Sequence, residues 1–230
     1  MTNLAAPRRS RAAAGTPTTD AGTKDLLVEL LHKYYERGWV AGTGGGICGP
    51  TQDGNIFLAP TGVHKELVEP QDFFVVSPED GRVIRPAEDP ALKPSECNPI
   101  FCATARARGS LSSMHSHALN AVLAADLAHG GDHIVIERFE MLKGIRGLSN
   151  LDVHRVPVID NTPRERELTA QVETALADSR FEGAFALLVR DHGAYIWGAD
   201  LWETKRHVEV YHFLFDAVIS RRRTANDSPG

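Results

Sequence analysis

The chain has 230 residues, of which 42% are hydrophobic and 24% are charged, and its formal net charge is -5 at pH 7. This length and composition are those of a globular protein with a substantial core. The acidic balance argues against a general nucleic-acid binder, which would carry a basic face. No apolar run approaches the roughly 20 residues that cross a bilayer. We therefore expect one soluble domain with neither a nucleic-acid nor a membrane partner.

The two ends of the chain predict the limits of the folded domain, and the cysteines predict its cellular compartment. Residues 1–23 are rich in Ala, Arg, Thr and Gly, which predicts a disordered arm rather than a secretory signal, although an acid-poor start also suits a transit peptide. Residues 223–230 are predicted to be a flexible tail, which leaves 24–222 as the single folded domain. The three cysteines form no Cys-x-x-Cys pair and favour a reducing, cytoplasmic compartment.

The first half of the chain predicts one helix followed by short strands. Apolar residues recur at helical spacing from Lys24 to Tyr35, and Gly38 stands where helices commonly end. A glycine-dense loop follows. Strands are then predicted at 55–59, 73–76 and 82–84, with Pro and Gly in the turns between them.

The second half mixes helices and strands in an irregular order. Asn98-Pro99 opens a predicted helix, Thr162-Pro163-Arg164-Glu165 is interpreted as a capping box that begins a helix to about Ala177, and Asp200 caps the last helix. A further helix is predicted at 119–127, and strands at 134–136, 153–159, 185–189 and 194–198. The order predicts an α/β domain with a central, mainly antiparallel sheet and helices on both faces.

Two histidines stand two residues apart, His115 and His117. Side chains at this spacing along a strand point to the same face, so both rings could hold one metal ion. An ordinary exposed pair is the alternative. His192 also follows an apolar strand and is the natural third ligand, and three neutral imidazoles leave zinc an open position for substrate.

The loop at 42–46 lacks both the Gly-Lys-Ser/Thr of a P-loop and the dinucleotide fingerprint. Its glycines nevertheless let backbone N–H groups approach an anion closely, so the loop could cradle a phosphate. A tight turn without a ligand explains the glycines equally well. The predicted substrate contacts in and near this loop are Thr43, Gly44, Gly45, Thr61, Gly62 and Ser95.

Two glutamates are candidates for proton transfer. Glu96 follows Ser95, and Glu140 lies between Phe139 and Met141-Leu142. Apolar surroundings can raise the pKa of a carboxyl toward neutrality and suit it to both giving and taking a proton. Glu140, which lies among apolar neighbours in the sequence, is the candidate that this setting favours.

From about Leu26 to Ile219 the chain resembles the methylthioribulose-1-phosphate dehydratases of the class II aldolase/adducin-like family. The motifs that carry the likeness are 38–47, 59–66, His115-Ser116-His117, 140–144, Asn161-Thr162-Pro163, 190–193 and 195–198. Asp191 departs from the residue expected before the third histidine.

The resemblance implies a class II aldolase-like fold in which His115, His117 and His192 bind one zinc ion per subunit. It implies that Glu140 is the general acid/base and that Cys97 lines the substrate pocket. The implied reaction is dehydration of 5-methylthioribulose 1-phosphate to 2,3-diketo-5-methylthiopentyl 1-phosphate in methionine salvage, by a homotetramer with active sites between subunits.

Two alternatives remain at this point. Related class II sugar-phosphate aldolases use a glutamate in a Ser-Ser-Glu segment, which Ser95-Glu96 resembles, and would cleave a ketose 1-phosphate through the same enediolate. A non-catalytic binding module is the third hypothesis, because a fold alone does not fix function.

Overall fold

A nine-stranded sheet lies at the centre of the computed structural model, which describes residues 15–227. The strands are β1 (Gly46–Pro50), β2 (Ile56–Leu58), β3 (Pro60–Thr61), β4 (Phe74–Val76), β5 (Val83–Arg85), β6 (Lys93–Pro94), β7 (Ser112–Ser116), β8 (His133–Glu137), β9 (Val153–Ile159), β10 (Ala186–Val189) and β11 (Gly193–Gly198). The helices are α1 (Asp20–Glu36), α2 (Asn98–Arg108), α3 (Leu119–Ala125), α4 (Thr169–Ala177) and α5 (Leu201–Asp227).

The strand order in the main sheet is β5-β4-β2-β1-β7-β11-β10-β9-β8, while β3 and β6 form a separate two-stranded pair. Neighbouring strands of the main sheet are antiparallel, except that β9 and β10 are parallel. The predicted mainly antiparallel sheet is therefore confirmed.

Helices cover both faces of this sheet. Successive side chains of a strand point to opposite faces, and in β10 Leu188 packs into the core formed with α1, α3 and α5. Its neighbour Leu187 packs into the second core, with α2 and α4. The predicted arrangement of helices on both faces is thus confirmed, and the central strands are buried between two apolar layers.

The ends of the fold differ from the predicted boundaries. Helix α1 begins at Asp20 because the Thr19 hydroxyl accepts a hydrogen bond from the Gly22 N–H, so residues 20–23 are helical rather than part of an arm. Helix α5 continues to Asp227, inside the predicted tail. The rest of the predicted arm, 1–14, and of the tail, 228–230, lies outside the described residues. Within residues 15–227, no helix is both long and apolar enough to span a membrane.

The predicted capping box at Thr162 does not form. Helix α4 begins only at Thr169, after a 3₁₀ turn at Glu165–Leu168. The Thr162 hydroxyl donates to the carbonyl oxygen of Arg164 instead of accepting from an N–H. The carboxylate of Glu165 therefore does not cap a helix and instead accepts hydrogen bonds from Cys97 and Tyr195.

Candidate active site

The three histidines meet at one end of the sheet because of strand pairing. His115 lies in β7, His117 follows directly after that strand, and His192 lies in the hairpin between β10 and β11. Since β7 and β11 are antiparallel, with Ala194 opposite Ser116, the end of β7 and the start of β11 are adjacent. We call this edge the histidine end of the sheet.

The three imidazoles converge through their Nε2 atoms. Nε2 of His115 lies 2.8 Å from that of His117 and 3.1 Å from that of His192, and the third side of the triangle is 3.1 Å. His115 is buried, His192 is half-buried and His117 is exposed, so solvent reaches the triangle from one side. The structure therefore brings together the three predicted ligands.

Hydrogen bonds fix which nitrogen faces the centre. His115 donates from Nδ1 to the carbonyl oxygen of Ala194, and His192 donates from Nδ1 to Oδ1 of Asn161, each at 3.1 Å. In a neutral ring this leaves the Nε2 lone pair available. Partners of this kind are typical of metal-binding histidines.

Burial also keeps these rings neutral. It lowers the pKa of His115 well below its usual range and that of His117 to about 4, and it lowers the pKa of His192 as well. Three neutral imidazole lone pairs aimed at one point form the donor set that zinc prefers in catalytic sites. The residues present thus fit the metal that the sequence predicts.

Two glycines make the close packing around the rings feasible. A Cβ at Gly44 would lie 2.5 Å from Nδ1 of His117. A Cβ at Gly193 would overlap the carbonyl oxygen of Ser116. Asp191, the departure in the sequence motif, has φ +52° in the hairpin, a conformation that Asp tolerates better than most residues.

The segments predicted to bind phosphate also assemble here. Lys65 donates from Nζ to the carbonyl oxygens of Thr43 and Val63, at 3.0 and 3.1 Å, and so joins the glycine loop to the turn after β3. A Cβ at Gly46 would contact Ser95 Oγ at 3.4 Å and Cys97 Sγ at 3.2 Å. The sequence did not single out Lys65, although it lies within one of the recognised motifs.

Cys97 faces a carboxylate that the sequence interpretation missed. Its Sγ donates to Oε1 of Glu165 at 3.1 Å, and the hydroxyl of Tyr195 donates to the same oxygen. Burial raises the pKa of the Cys97 thiol, which keeps it protonated as a donor. The nearby Asn161-Thr162-Pro163 motif could have pointed to Glu165. The sequence pattern instead led to the interpretation of Glu165 as part of a capping box.

The two predicted acid/base candidates lie elsewhere. Glu96 is exposed, while the next residue, Cys97, is buried against the site. The expected apolar surroundings of Glu140 are wrong, because its side chain is 70% exposed and pairs with Lys143 at 2.7 Å. Its neighbour Leu142 takes the buried position in the same 3₁₀ turn.

Strand pairing places Glu140 far from the histidines of its own chain. Ile159, at the end of β9, pairs with Val189 beside the histidine hairpin. Glu137, three residues before Glu140, pairs with Val153 at the opposite end of β9. The six residue-to-residue steps from Val153 to Ile159 span about 20 Å. A single chain therefore does not bring Glu140 to the three imidazoles.

The fold and the histidine cluster define a class II aldolase-like protein. Residues 25–219 match the family described as Class II Aldolase and Adducin N-terminal domain, and the chain belongs to that family. An l-fuculose-1-phosphate aldolase from Thermus thermophilus superposes with a TM-score of 0.68 at 18% identity, covering 90% of this chain and 100% of that one. A putative aldolase/epimerase/decarboxylase from Klebsiella pneumoniae gives 0.73 at 19% identity, covering 89% and 91%.

Relatives of higher sequence identity indicate to which enzymes of this family the chain is similar. A methylthioribulose-1-phosphate dehydratase of Aquarana catesbeiana is 36% identical over 211 residues, which cover 89% of this chain and 86% of that protein. The enzyme of the same name from Homo sapiens is 36% identical over 208 residues, covering 88% and 84%. Within the class II aldolase and adducin family, the chain thus belongs with the methylthioribulose-1-phosphate dehydratases.

Proposed function

We propose that this protein removes water from 5-methylthioribulose 1-phosphate to give 2,3-diketo-5-methylthiopentyl 1-phosphate, a step of methionine salvage. The observation that carries the proposal is the convergence of three neutral imidazoles beside a glycine loop suited to a phosphate. The identity of 36% to dehydratases over nearly the whole chain supports the same reaction.

We assign His115, His117 and His192 as ligands of one zinc ion per subunit. Their Nε2 atoms lie 2.8–3.1 Å apart and carry lone pairs, so a cation relieves the repulsion among them. When bound, the ion acts as a Lewis acid on the carbonyl of the substrate. The hydrogen bonds from Nδ1 of His115 and His192 hold the rings in the tautomer that binding requires.

The glycine loop and its neighbours orient the substrate. Backbone N–H groups at Gly44 and Gly45 and the side chains of Thr61 and Ser95, with Gly62 in the turn, are proposed to bind the phosphate. The buried ammonium of Lys65 supplies positive charge next to this proposed phosphate site. Cys97, which contacts the same loop at Gly46, lines the pocket between the phosphate and the histidines.

Proton transfer is assigned to Glu140 of a neighbouring subunit. Dehydration takes a proton from C3 and releases the C4 hydroxyl as water. A carboxylate that accepts the C3 proton can return it to the departing oxygen, so one residue serves both steps. Since Glu140 lies beyond the far end of β9 in its own chain, a homotetramer with sites between subunits supplies it.

The aldolase alternative loses its main support in the structure. It required Glu96 at the reacting centre, but this side chain is exposed while Cys97 takes the inward position. Within its own chain, the exposed Glu96 therefore does not supply the carboxylate that the aldolase requires, whereas Glu140 is assigned to the site of a neighbouring subunit. The dehydratase is therefore the function that we propose.

Product mass tests the proposal directly. The zinc-loaded protein is incubated with 5-methylthioribulose 1-phosphate, with and without a chelator, and the products are analysed by mass spectrometry. Dehydration gives one product that is lighter by one water and keeps the carbon skeleton whole, and the chelator abolishes it. Cleavage into two fragments would establish the aldolase, and no conversion with added zinc would favour a binding module.

We also propose a cytoplasmic enzyme with one catalytic domain. All three cysteines are free and buried, which agrees with a reducing compartment. The catalytic domain extends from Asp20, where α1 begins, through the long helix α5.

A further inference from the structure

Glu165 lies beside the metal-binding triangle rather than within it. Its Oε1 is 3.2 Å from Nε2 of His115 and 3.1 Å from Sγ of Cys97. Among the described residues, the carboxylate groups with these two side chains but with neither of the other two histidines. Cys97 in turn contacts the glycine loop, since a Cβ at Gly46 would lie 3.2 Å from its Sγ. Glu165 therefore stands between the proposed phosphate site and the histidines.

The two oxygens of this carboxylate have different surroundings. Oε1 accepts hydrogen bonds from the Tyr195 hydroxyl and the Cys97 thiol. Oε2 takes part in no hydrogen bond within residues 15–227, and it is not one of the buried oxygens in that range that lack a partner. Because 17% of the Glu165 side chain is exposed, Oε2 remains accessible. A carboxylate offers about four lone-pair positions, so this oxygen can accept hydrogen bonds from a ligand.

Two buried side chains hold Glu165 in place. Tyr195 and Cys97, which are 1% and 2% exposed, both donate to Oε1. The Tyr195 ring also stacks on His115, with centroids 4.1 Å apart and planes 7° from parallel. A group that is fixed before its ligand arrives loses little conformational entropy on binding. Oε2 is thus a preorganised acceptor at a set position relative to the histidines.

The proposed substrate carries a donor that matches this acceptor. With the phosphate at the glycine loop and the C2 carbonyl at the histidines, the C3 hydroxyl is the first donor beyond the carbonyl. Its oxygen stays in place when a proton leaves C3 and water leaves C4, and it becomes the second ketone oxygen of the product. A carboxylate accepts a hydrogen bond from a hydroxyl, whereas a ketone oxygen has no proton to donate. The contact therefore favours the substrate over the product.

We infer that Oε2 of Glu165 accepts a hydrogen bond from the C3 hydroxyl of the substrate, which makes Glu165 a specificity-determining residue for 3-hydroxy-2-ketose 1-phosphates. The inference rests on the proposed dehydratase function and names a further contact in the same site. Tyr195 acts as a positioning residue for the carboxylate. Because the diketone lacks this donor, the same contact promotes release of the product.

Equilibrium binding tests the inference in zinc-loaded, full-length protein that carries Glu140→Gln, which prevents turnover. Calorimetric titration gives the dissociation constants of 5-methylthioribulose 1-phosphate and of its 3-deoxy analogue. Adding Glu165→Gln removes the charge of the acceptor, so it should weaken binding of the substrate by at least about tenfold and leave binding of the analogue unchanged. Glu167→Gln is the matched control, because Glu167 is exposed in the same 3₁₀ turn, and it should leave both constants unchanged. The zinc content should be the same in all variants, because Glu165 is not a ligand.

The outcomes separate this inference from the function on which it rests. Equal weakening of both ligands by Glu165→Gln would assign Glu165 to pocket shape alone and overturn the inference, as would an unchanged affinity for the substrate. Failure of the wild-type protein to dehydrate the substrate would overturn the proposed function itself. If Glu140→Gln still converts the ligands, the ratio of their kcat/KM values replaces the ratio of dissociation constants. Should Glu165→Gln not fold, Glu165→Asp gives the same comparison, since its shorter side chain withdraws the carboxylate from the hydroxyl.

Discussion

Lys65 donates to the carbonyl oxygen of Thr43 at 3.0 Å, although the lysine is only 1% exposed. A second bond, to Val63 at 3.1 Å, ties the turn after β3 to the glycine loop through one ammonium group. Desolvation lowers the pKa of this lysine, whereas the nearby carboxylates of Glu165 and Glu66 oppose that shift. The charge therefore has a structural role in joining the two loops and a proposed electrostatic role toward the phosphate.

Replacing Lys65 separates these roles from those of the metal. Lys65→Met leaves two carbonyl oxygens without their donor, which should cost about 1–3 kcal/mol in the free energy of unfolding. The Michaelis constant should rise more than kcat falls, because substrate binding is affected first. Urea unfolding and steady-state kinetics measure the two effects. Lys33→Met, which removes only an exposed pair with Glu29, is the control; equal behaviour of the two variants would contradict the assignment.

The close approach of Gly44 to His117 gives a second prediction. A Cβ at this position would lie 2.5 Å from Nδ1 of the ring, so Gly44→Ala should push the imidazole out of the triangle. We expect zinc affinity to fall by about 10- to 100-fold, with little loss of fold stability. Chelator competition measures the affinity. Gly183→Ala, where nothing lies within 4 Å of the added carbon, should behave as wild type; an unaltered affinity in Gly44→Ala would contradict the geometry.

Local sequence patterns predicted the site residues that lie on strands or directly after them. His115 and His117 share a face because of strand periodicity, and His192 follows an apolar strand, so the metal ligands were accessible from the sequence. Glu165 was not, because its contact with His115 joins segments 50 residues apart while the local pattern suggested a cap.

For Glu140, the local sequence pattern predicted the wrong environment. Its apolar neighbours suggested burial, yet the 3₁₀ turn directs Leu142 into the core and Glu140 into solvent. Side-chain direction in a short turn depends on how the turn docks on α5, which a single sequence does not specify. Local sequence patterns also do not specify subunit assembly, on which the proposed role of Glu140 depends.

Acid should destabilise the protein through histidines that do not bind metal. The buried His154 accepts a hydrogen bond from the Tyr211 hydroxyl at 2.9 Å, and burial lowers its pKa to about 4. Burial also lowers the pKa of His212 to about 3. Because the folded pKa values lie below the unfolded value near 6.5, the unfolded chain binds more protons, so stability falls as the pH drops from about 6.5 to 4.

The size of this effect is measurable with one substitution. Below pH 4 the loss attributable to His154 should approach about 3 kcal/mol. Urea unfolding of the metal-free protein at pH 7.5 and at pH 5 provides the comparison. His154→Gln should lose less stability on acidification than wild type, whereas His32→Gln, at an exposed position of α1, should lose as much. The same pH dependence in all three proteins would rule out this cause.

Glu140 and the histidines should complement each other between subunits. In the proposed assembly each site combines the imidazoles of one chain with Glu140 of another, so Glu140→Gln should retain zinc and His117→Ala should lose it, and each should be inactive alone. Mixed oligomers, refolded together from both variants, contain some sites with wild-type histidines and a wild-type Glu140. We therefore expect activity to reappear on mixing, up to about a quarter of the wild-type value for random assembly of equal amounts. A double variant, Glu140→Gln with His117→Ala, mixed with Glu140→Gln has no complete site and is the control. Full activity of Glu140→Gln alone would remove this residue from proton transfer, and absence of recovery on mixing would contradict its supply by a neighbouring subunit.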